Sequence, residues 1–471
     1  MVIDGKGTEP VKMDVAVRGA SIAAIGFLEM DEATRTIDVA GKVVCPGFID
    51  VHTHDDNTVL KSPDCLPKIS QGVTTVAVGS CGLSASPVRL KDKPPDPLNL
   101  LGSEQDFRFN TFREYRDAVD SICPAVNVAA LVGYTSLRVN HMPDLFRVAS
   151  SYEVEAMQED LEISLASGAL GLSTGLAYAT ARHSTTEEVI SLASKVNKYG
   201  GIYATHLRDE FDTILDVLAE AFEIGETAKL PVVVSHLKCA GPDNWGRSEE
   251  VLNFINNSKY NHRINLDCYP YAAGSSTLDL GQVDERIKIL ITWSENHPEQ
   301  SKKTLAEIAR EWGVSQIEAA RKLQPASAVY FSINEDDITR IISHPKTIIG
   351  SDGLPHDPHP HPRLWGTFPR VLGRLARDQK LFSLSTSVHK MTGLPARNFR
   401  IKNRGLVQMG YAADLVVFDA EKIADTATFE NPKQTSIGIE RVFVNGIESF
   451  RDGSTTGRRA GTFIQSQKPE E

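Results

Sequence analysis

The sequence predicts an α/β protein built around a (β/α)₈ barrel. Three observations point there. Short apolar runs alternate with amphipathic helical stretches through the middle of the chain, the signature of a parallel sheet. The runs number eight, spread over about 300 residues, the usual size of such a barrel. Neither GxGxxG nor GxxxxGK[ST] occurs, which disfavours the runner-up, an open doubly wound nucleotide-binding sheet.

In chain order, residues 14–19 and 21–26 read as strands with period-two apolar spacing and glycine turns. The candidate barrel strands follow at 48–54, 74–81, 126–134, 169–176, 201–208, 231–238, 264–271 and 347–352. Helical patterns lie between them, among others at 151–167, 186–199, 211–228 and 248–258. The gap between the last two strands is too long for one helix. Helical patterns at 284–294, 302–312 and 314–323 predict an inserted helical subdomain at about 277–345, above the face where barrel enzymes place their sites. Residues 413–419 and 440–446 are strand-like again, so the two ends are expected to form one small domain, 1–45 with 405–471, beside a barrel at 46–404.

Composition narrows the function. Lys and Arg total 50 against 61 Asp and Glu, a net charge of −11, so a general nucleic-acid binder is not expected. No run approaches the roughly 18 apolar residues of a membrane span. The N-terminal MVIDGKGTEP shows no secretory pattern, and the six cysteines form no CxxC pair. A cytoplasmic protein with mostly reduced thiols, free of membrane and nucleic-acid partners and acting on a small molecule, is expected. Oligomeric state is not legible.

The sharpest motif is Phe48-Ile49-Asp50-Val51-His52-Thr53-His54. Alternate strand residues share a face, so His52 and His54 point the same way. Two imidazoles on the inner face of a buried strand are either satisfied core histidines or metal ligands. His206, His236 and Asp352 also fall at predicted strand ends, where barrels assemble sites, and together they favour the metal. Cys81 ends the second run between glycines that allow close backbone approach. By itself it reads as a small core residue; with the histidines it reads as a thiolate ligand. A His/Cys mixture favours zinc over magnesium or calcium.

The ordered set His52-x-His54, Cys81, His206, His236 and Ser351-Asp352-Gly353 resembles the amidohydrolase superfamily. More narrowly, it resembles the D-aminoacylase and N-acyl-D-amino-acid deacylase family. The likeness runs through Gly171-Leu172-Ser173-Thr174-Gly175-Leu176, Tyr269-Pro270-Tyr271 and Pro362-Arg363-Leu364-Trp365-Gly366-Thr367-Phe368, covering nearly the whole chain. The resemblance implies a barrel with a small β-sandwich made from both termini, and one or two zinc ions. It implies that Cys81, His206 and His236 hold the tighter ion and that His52, His54 and Asp352 line the weaker position. Cys81 takes the place of the carboxylated lysine of related barrels. The implied reaction is zinc-dependent hydrolysis of N-acyl-D-amino acids, linear amides, to a carboxylate and a free D-amino acid. Asp352 is the implied proton shuttle. Lys238, Tyr269, Ser275 and Arg363 match the family's positions for the substrate carboxylate.

Two patterns compete. Gly171-Leu172-Ser173-Thr174-Gly175 fits G-x-S-x-G, a serine-nucleophile motif, but is read as part of a barrel strand. The tract Pro355-His356-Asp357-Pro358-His359-Pro360-His361-Pro362 is read as a stiff loop beside the site, with His356 nearest the substrate. A cyclic-amide hydrolase of the hydantoinase or dihydroorotase type, which shares HxH and the final Asp, is the alternative enzyme. A non-enzymatic binding protein of the same fold is a third reading.

Overall fold

In the computed structural model, which describes residues 1–29 and 33–466, the eight predicted runs become parallel strands. They are Phe48–Asp50, Val73–Val78, Asn127–Ala130 continued by Val132–Gly133, Gly171–Gly175, Ile202–His206, Val232–Val234, Ile264–Cys268 and Thr347–Ile349. Each pairs in parallel with the next. The ring closes between the eighth strand and the first. Asp352 N–H donates to His52 O at 2.7 Å, and His54 N–H donates to Gly353 O at 3.0 Å. That closure decides for the barrel over the open sheet.

Ile49, Leu131, Leu170, Ile202, Val233 and Ile348 fill the lower barrel interior and pack against Leu394, Ala396, Phe399 and Ile401. The helix Gly393–Asn398 thereby plugs the end opposite the site. The outer helices start where the sequence places a cap. Ser150 accepts from Glu153 N–H, and Glu153 reciprocates on Ser150 N–H, before Ser151–Ala166. Thr185 caps Thr186–Val196 in a similar way.

Both termini contribute to one five-stranded antiparallel sheet. Val43–Pro46 pairs with Leu415–Phe418, which pairs with Ile439–Val444, followed by Ile447–Arg451 and Ser454–Thr455. The hairpin Asp14–Arg18 and Ser21–Gly26 forms a second layer, with Val2, Ile22, Val407, Ala413 and Leu415 buried between the two. The last described residues leave this layer. Val128 N–H donates to Thr462 O and Ile464 N–H to Val128 O, so the tail runs along the third barrel strand instead.

The insertion differs from its expectation. It carries two helices, Leu305–Trp312 and Gln316–Leu323, but also three antiparallel strands, Gly274–Thr277, Ala326–Tyr330 and Ile289–Ser294. The stretch 284–294, helical by its sequence pattern, is not a helix. Its second half is Ile-Leu-Ile-Thr-Trp-Ser, rich in β-branched and aromatic residues, and pairing with 326–330 decides in favour of a strand. The helix Glu335–Ser343 buries Ile338, Ile341 and Ile342 in the main barrel core, so it belongs to the barrel rather than to the insertion.

Candidate metal centre

The predicted donors converge where the barrel strands end. His52, His54, Cys81 and Asp352 form one set, and Cys81, His206 and His236 a second; within each set the donor atoms lie within 4.8 Å of one another. Cys81 is common to both. Its Sγ lies 3.1 Å from His52 Nε2 and 3.3 Å from His236 Nε2. Asp352 Oδ1 lies 3.2 Å from His54 Nε2 and 3.4 Å from His52 Nε2. All are buried except His206, which is half-buried.

Local backbone geometry explains how these residues reach inward. Cys81, His236 and Asp352 all have positive φ, at 54°, 35° and 48°. Such positions cost a non-glycine residue about 1–3 kcal/mol each and gather at functional sites. The turn around Cys81 is tightly packed. A Cβ on Gly79 would stand 2.2 Å from Leu131 O, and one on Gly82 2.7 Å from Gly175 N. Ser173 ties this turn from the neighbouring strand, its hydroxyl donating to Gly79 O and accepting from Gly82 N–H at 3.0 Å. Ser173 therefore serves the cysteine turn and is not placed as a nucleophile.

Two of the four imidazoles, His52 and His236, are held on their far side by a carboxylate, while Nδ1 of His54 and of His206 is buried without a partner among the described residues. His52 Nδ1 lies 3.0 Å from Asp267, which also accepts the His236 N–H at 2.8 Å. His236 Nδ1 lies 2.9 Å from Glu210. This arrangement presents Nε2 of both rings to Cys81, as in metal sites whose histidines carry carboxylate partners. Burial pushes the Cys81 thiol up, but the charges of His52 and His236 outweigh it and hold the thiol well below its ordinary range. Burial likewise raises Asp352, while Arg363 and His52 bring it well below the usual carboxylate range. A thiolate shared between two imidazole-rich sets, with one carboxylate, fits zinc.

Beside Asp352 lies an anion-seeking pocket. Arg363 is 1% exposed, yet its Nε and Nη1 meet no acceptor among the described residues. Its Nη2 donates to Asp352 Oδ2 at 2.8 Å and to Ser275 O at 3.1 Å, and its guanidinium lies 4.4 Å over the Tyr269 ring. The Tyr269 hydroxyl and Ser275 Oγ are likewise buried without a partner among the described residues. Lys238 is placed differently. Its ammonium contacts Glu210 at 2.5 Å and His236 Nδ1 at 2.8 Å, on the side of the histidine pair.

In the proline-rich tract, His361 rather than His356 reaches the site. It is buried, and its Nδ1 accepts the Arg363 N–H at 2.9 Å. His356 is exposed. Sequence reasoning missed Asp267, Glu210 and Lys68. Asp267 had a signal, as the one charged residue in Ile264–Cys268, an otherwise apolar strand apart from Asn265. Glu210 lies in a polar loop with several acids and had none.

A closed barrel carrying this His/Cys/Asp set on its strand ends defines a metal-dependent hydrolase of the amidohydrolase type. The chain belongs to the amidohydrolase family, whose model matches residues 35–449. It is 49% identical over 463 residues to a D-aminoacylase from Alcaligenes xylosoxydans xylosoxydans, covering 98% of this chain and 96% of the relative. An N-acyl-D-aspartate deacylase from the same organism is 46% identical, covering 97% and 91%. The crystal structure of a D-aminoacylase superposes with a TM-score of 0.96 at 50% identity, covering 98% of each chain. That of N-acyl-D-glutamate deacylase from Bordetella bronchiseptica, complexed with zinc and a phosphonate mimic of the tetrahedral intermediate, gives 0.93 at 43%, again covering 98% of each. A D-hydantoinase structure shares the fold alone, at 14% identity and a TM-score of 0.59.

Proposed function

We propose that this protein is a zinc-dependent N-acyl-D-amino-acid deacylase, cleaving the linear amide to a carboxylate and a free D-amino acid. The observation that carries this reading is the buried Cys81 thiolate shared by two histidine sets, with Asp352 in one of them and the unpartnered donors of Arg363 beside it. The high identity to three deacylases of N-acyl-D-amino acids supports the linear substrate and its D configuration. The distant likeness to hydantoinases supports the cyclic-amide alternative only at the level of fold.

Following the family resemblance, Cys81, His206 and His236 would hold the tighter ion, and His52, His54 and Asp352 would line the second position. Bound zinc acidifies water and polarises an amide carbonyl. Asp352 takes the proton of the attacking water and returns it to the leaving amine nitrogen, which cannot depart as an anion. Arg363, Tyr269 and Ser275 offer their free donors to the substrate carboxylate, Arg363 in the bidentate manner of guanidinium. Lys238, bound to Glu210 and His236, adds positive charge nearby and orients the imidazole. Free thiols at all six cysteines support a cytoplasmic location. Among the described residues no helix is long and apolar enough to cross a membrane.

The decisive experiment is hydrolysis of paired N-acetyl-D- and N-acetyl-L-amino acids, with neutral and acidic side chains, by the zinc-loaded protein. D-selective turnover is the expected result. Turnover of hydantoins or dihydroorotate with none of the N-acyl amino acids overturns the reading.

A further inference from the structure

Beneath the donors lies a charged cluster that the reaction scheme does not use. Lys68, on the short helix Leu66–Ile69, is 1% exposed. Its Nζ donates to Asp50 Oδ2 at 2.8 Å, Thr53 Oγ1 at 2.8 Å and Ser351 Oγ at 2.9 Å, with Asp55 Oδ2 at 3.1 Å. An unpaired ammonium at this depth would give up its charge. Two carboxylates and two hydroxyls surround this one.

The identity of these acceptors is what matters. Asp50, Thr53 and Asp55 interleave with His52 and His54 at the end of the first barrel strand. Ser351 immediately precedes Asp352 at the end of the eighth. Asp50 also accepts the Ser351 N–H at 2.9 Å, and Ser351 Oγ accepts the Gly353 N–H at 3.1 Å. The backbone on both sides of Asp352 is thereby tied to one cluster, while Asp352 itself holds a φ of 48° that its neighbours must enforce. The seam where the barrel closes is the seam across which His52 and His54 must meet Asp352.

We propose that Lys68 is the positioning residue of the second metal position: by gripping the His52/His54 segment and Ser351 together, it sets the spacing between those histidines and Asp352. This rests on the ligand roles proposed above. It assigns Lys68 no contact with substrate or metal, and none with His206, His236 or Cys81, which other strands carry.

The test uses the full-length protein, wild type beside Ser351→Ala and Lys68→Met. Cobalt and zinc titrations by calorimetry and visible absorption are combined with steady-state kinetics. Ser351→Ala removes one oxygen of the grip, so it keeps the proposal testable should Lys68→Met fail to fold. Both variants are expected to weaken the second ion by about 10–100-fold, as loss of an outer-shell partner does, and, through the displaced Asp352 rather than through loss of that ion, to lower kcat with little change in KM. The first ion is expected to bind as in wild type. A purely structural fastener would lower Tm and leave second-ion affinity and kcat of the folded protein unchanged; that result overturns the proposal. So does a wild type that binds a single ion. Because the titrations need no substrate, a wild type inactive on N-acyl-D-amino acids would refute the assigned reaction while the titrations still decide the role of Lys68.

Discussion

Cys81 shows how a residue's meaning depends on its neighbours. Alone it is a small buried thiol; between His52 and His236 it is a thiolate. Asp352 depends on its company in the same way, holding His54 with one oxygen and Arg363 with the other. Asp352→Asn keeps the shape but cannot accept a proton. It is expected to retain the fold and the tighter ion, by circular dichroism and metal analysis, and to lose nearly all turnover. Near-normal kcat with unchanged metal content would remove Asp352 from the shuttle role. Arg363→Ala deletes the free guanidinium donors. Hydrogen bonds to charged groups are worth about 1.5–3 kcal/mol, so KM for N-acyl-D-amino acids should rise by about 10–150-fold. An unchanged KM would count against the carboxylate clamp. The four histidines and Asp352 that converge here were legible in the sequence because each stands out against an apolar run, and Cys81 only in their company. Their partners Glu210 and Lys68 were not, since an acid in a polar loop and a lysine in Leu-Pro-Lys-Ile look like solvated surface until burial is known.

Strand ends and turns position these groups. The Gly-Ser-Cys-Gly turn is legible as a motif, but its support by Ser173 from another strand is not. Ser173→Ala should weaken the turn and reduce, without abolishing, activity. A chelator should inhibit wild type while a serine-directed fluorophosphonate does not; inhibition by the fluorophosphonate would restore Ser173 as a nucleophile. Gly82→Ala is the harsher change, because its Cβ would press on the Gly175 backbone at positive φ. It should lower metal content more than Ser173→Ala, measurable by elemental analysis of the purified variants. The insertion gives the opposite lesson. Its period and length suggested helices throughout, yet 289–294 pairs as a strand because a partner 32 or more residues away supplies the hydrogen bonds. Local pattern could not announce that partner.

Across the whole molecule, barrel and terminal sheet are joined through Asn127 at the start of the third strand. Its amide donates to Thr74 O at 3.0 Å and Asp414 Oδ2 at 3.1 Å, and its Oδ1 accepts from Asn445 at 2.8 Å and from Thr462 N–H at 3.2 Å. Asn127→Leu would leave these buried groups unpaired, at about 1–3 kcal/mol for an unsatisfied group. A clear fall in Tm with little change in KM is expected, read by calorimetry. Metal should stabilise the whole chain too. A ligand at a thousand times its Kd contributes about 4 kcal/mol, so stripping the zinc should lower Tm and re-addition restore it. Local pattern in the sequence carried the eight strand–helix units, the order of the candidate ligands along them and the family, because buried strands and charged residues at their ends leave local traces. Closure of the ring, the sharing of Cys81 by two donor sets and the place of Lys68 beneath the closing seam exist only in the folded chain. Those are meetings of residues up to about 300 positions apart, and the geometry of such a meeting belongs to the folded chain, where burial turns a charge into a constraint.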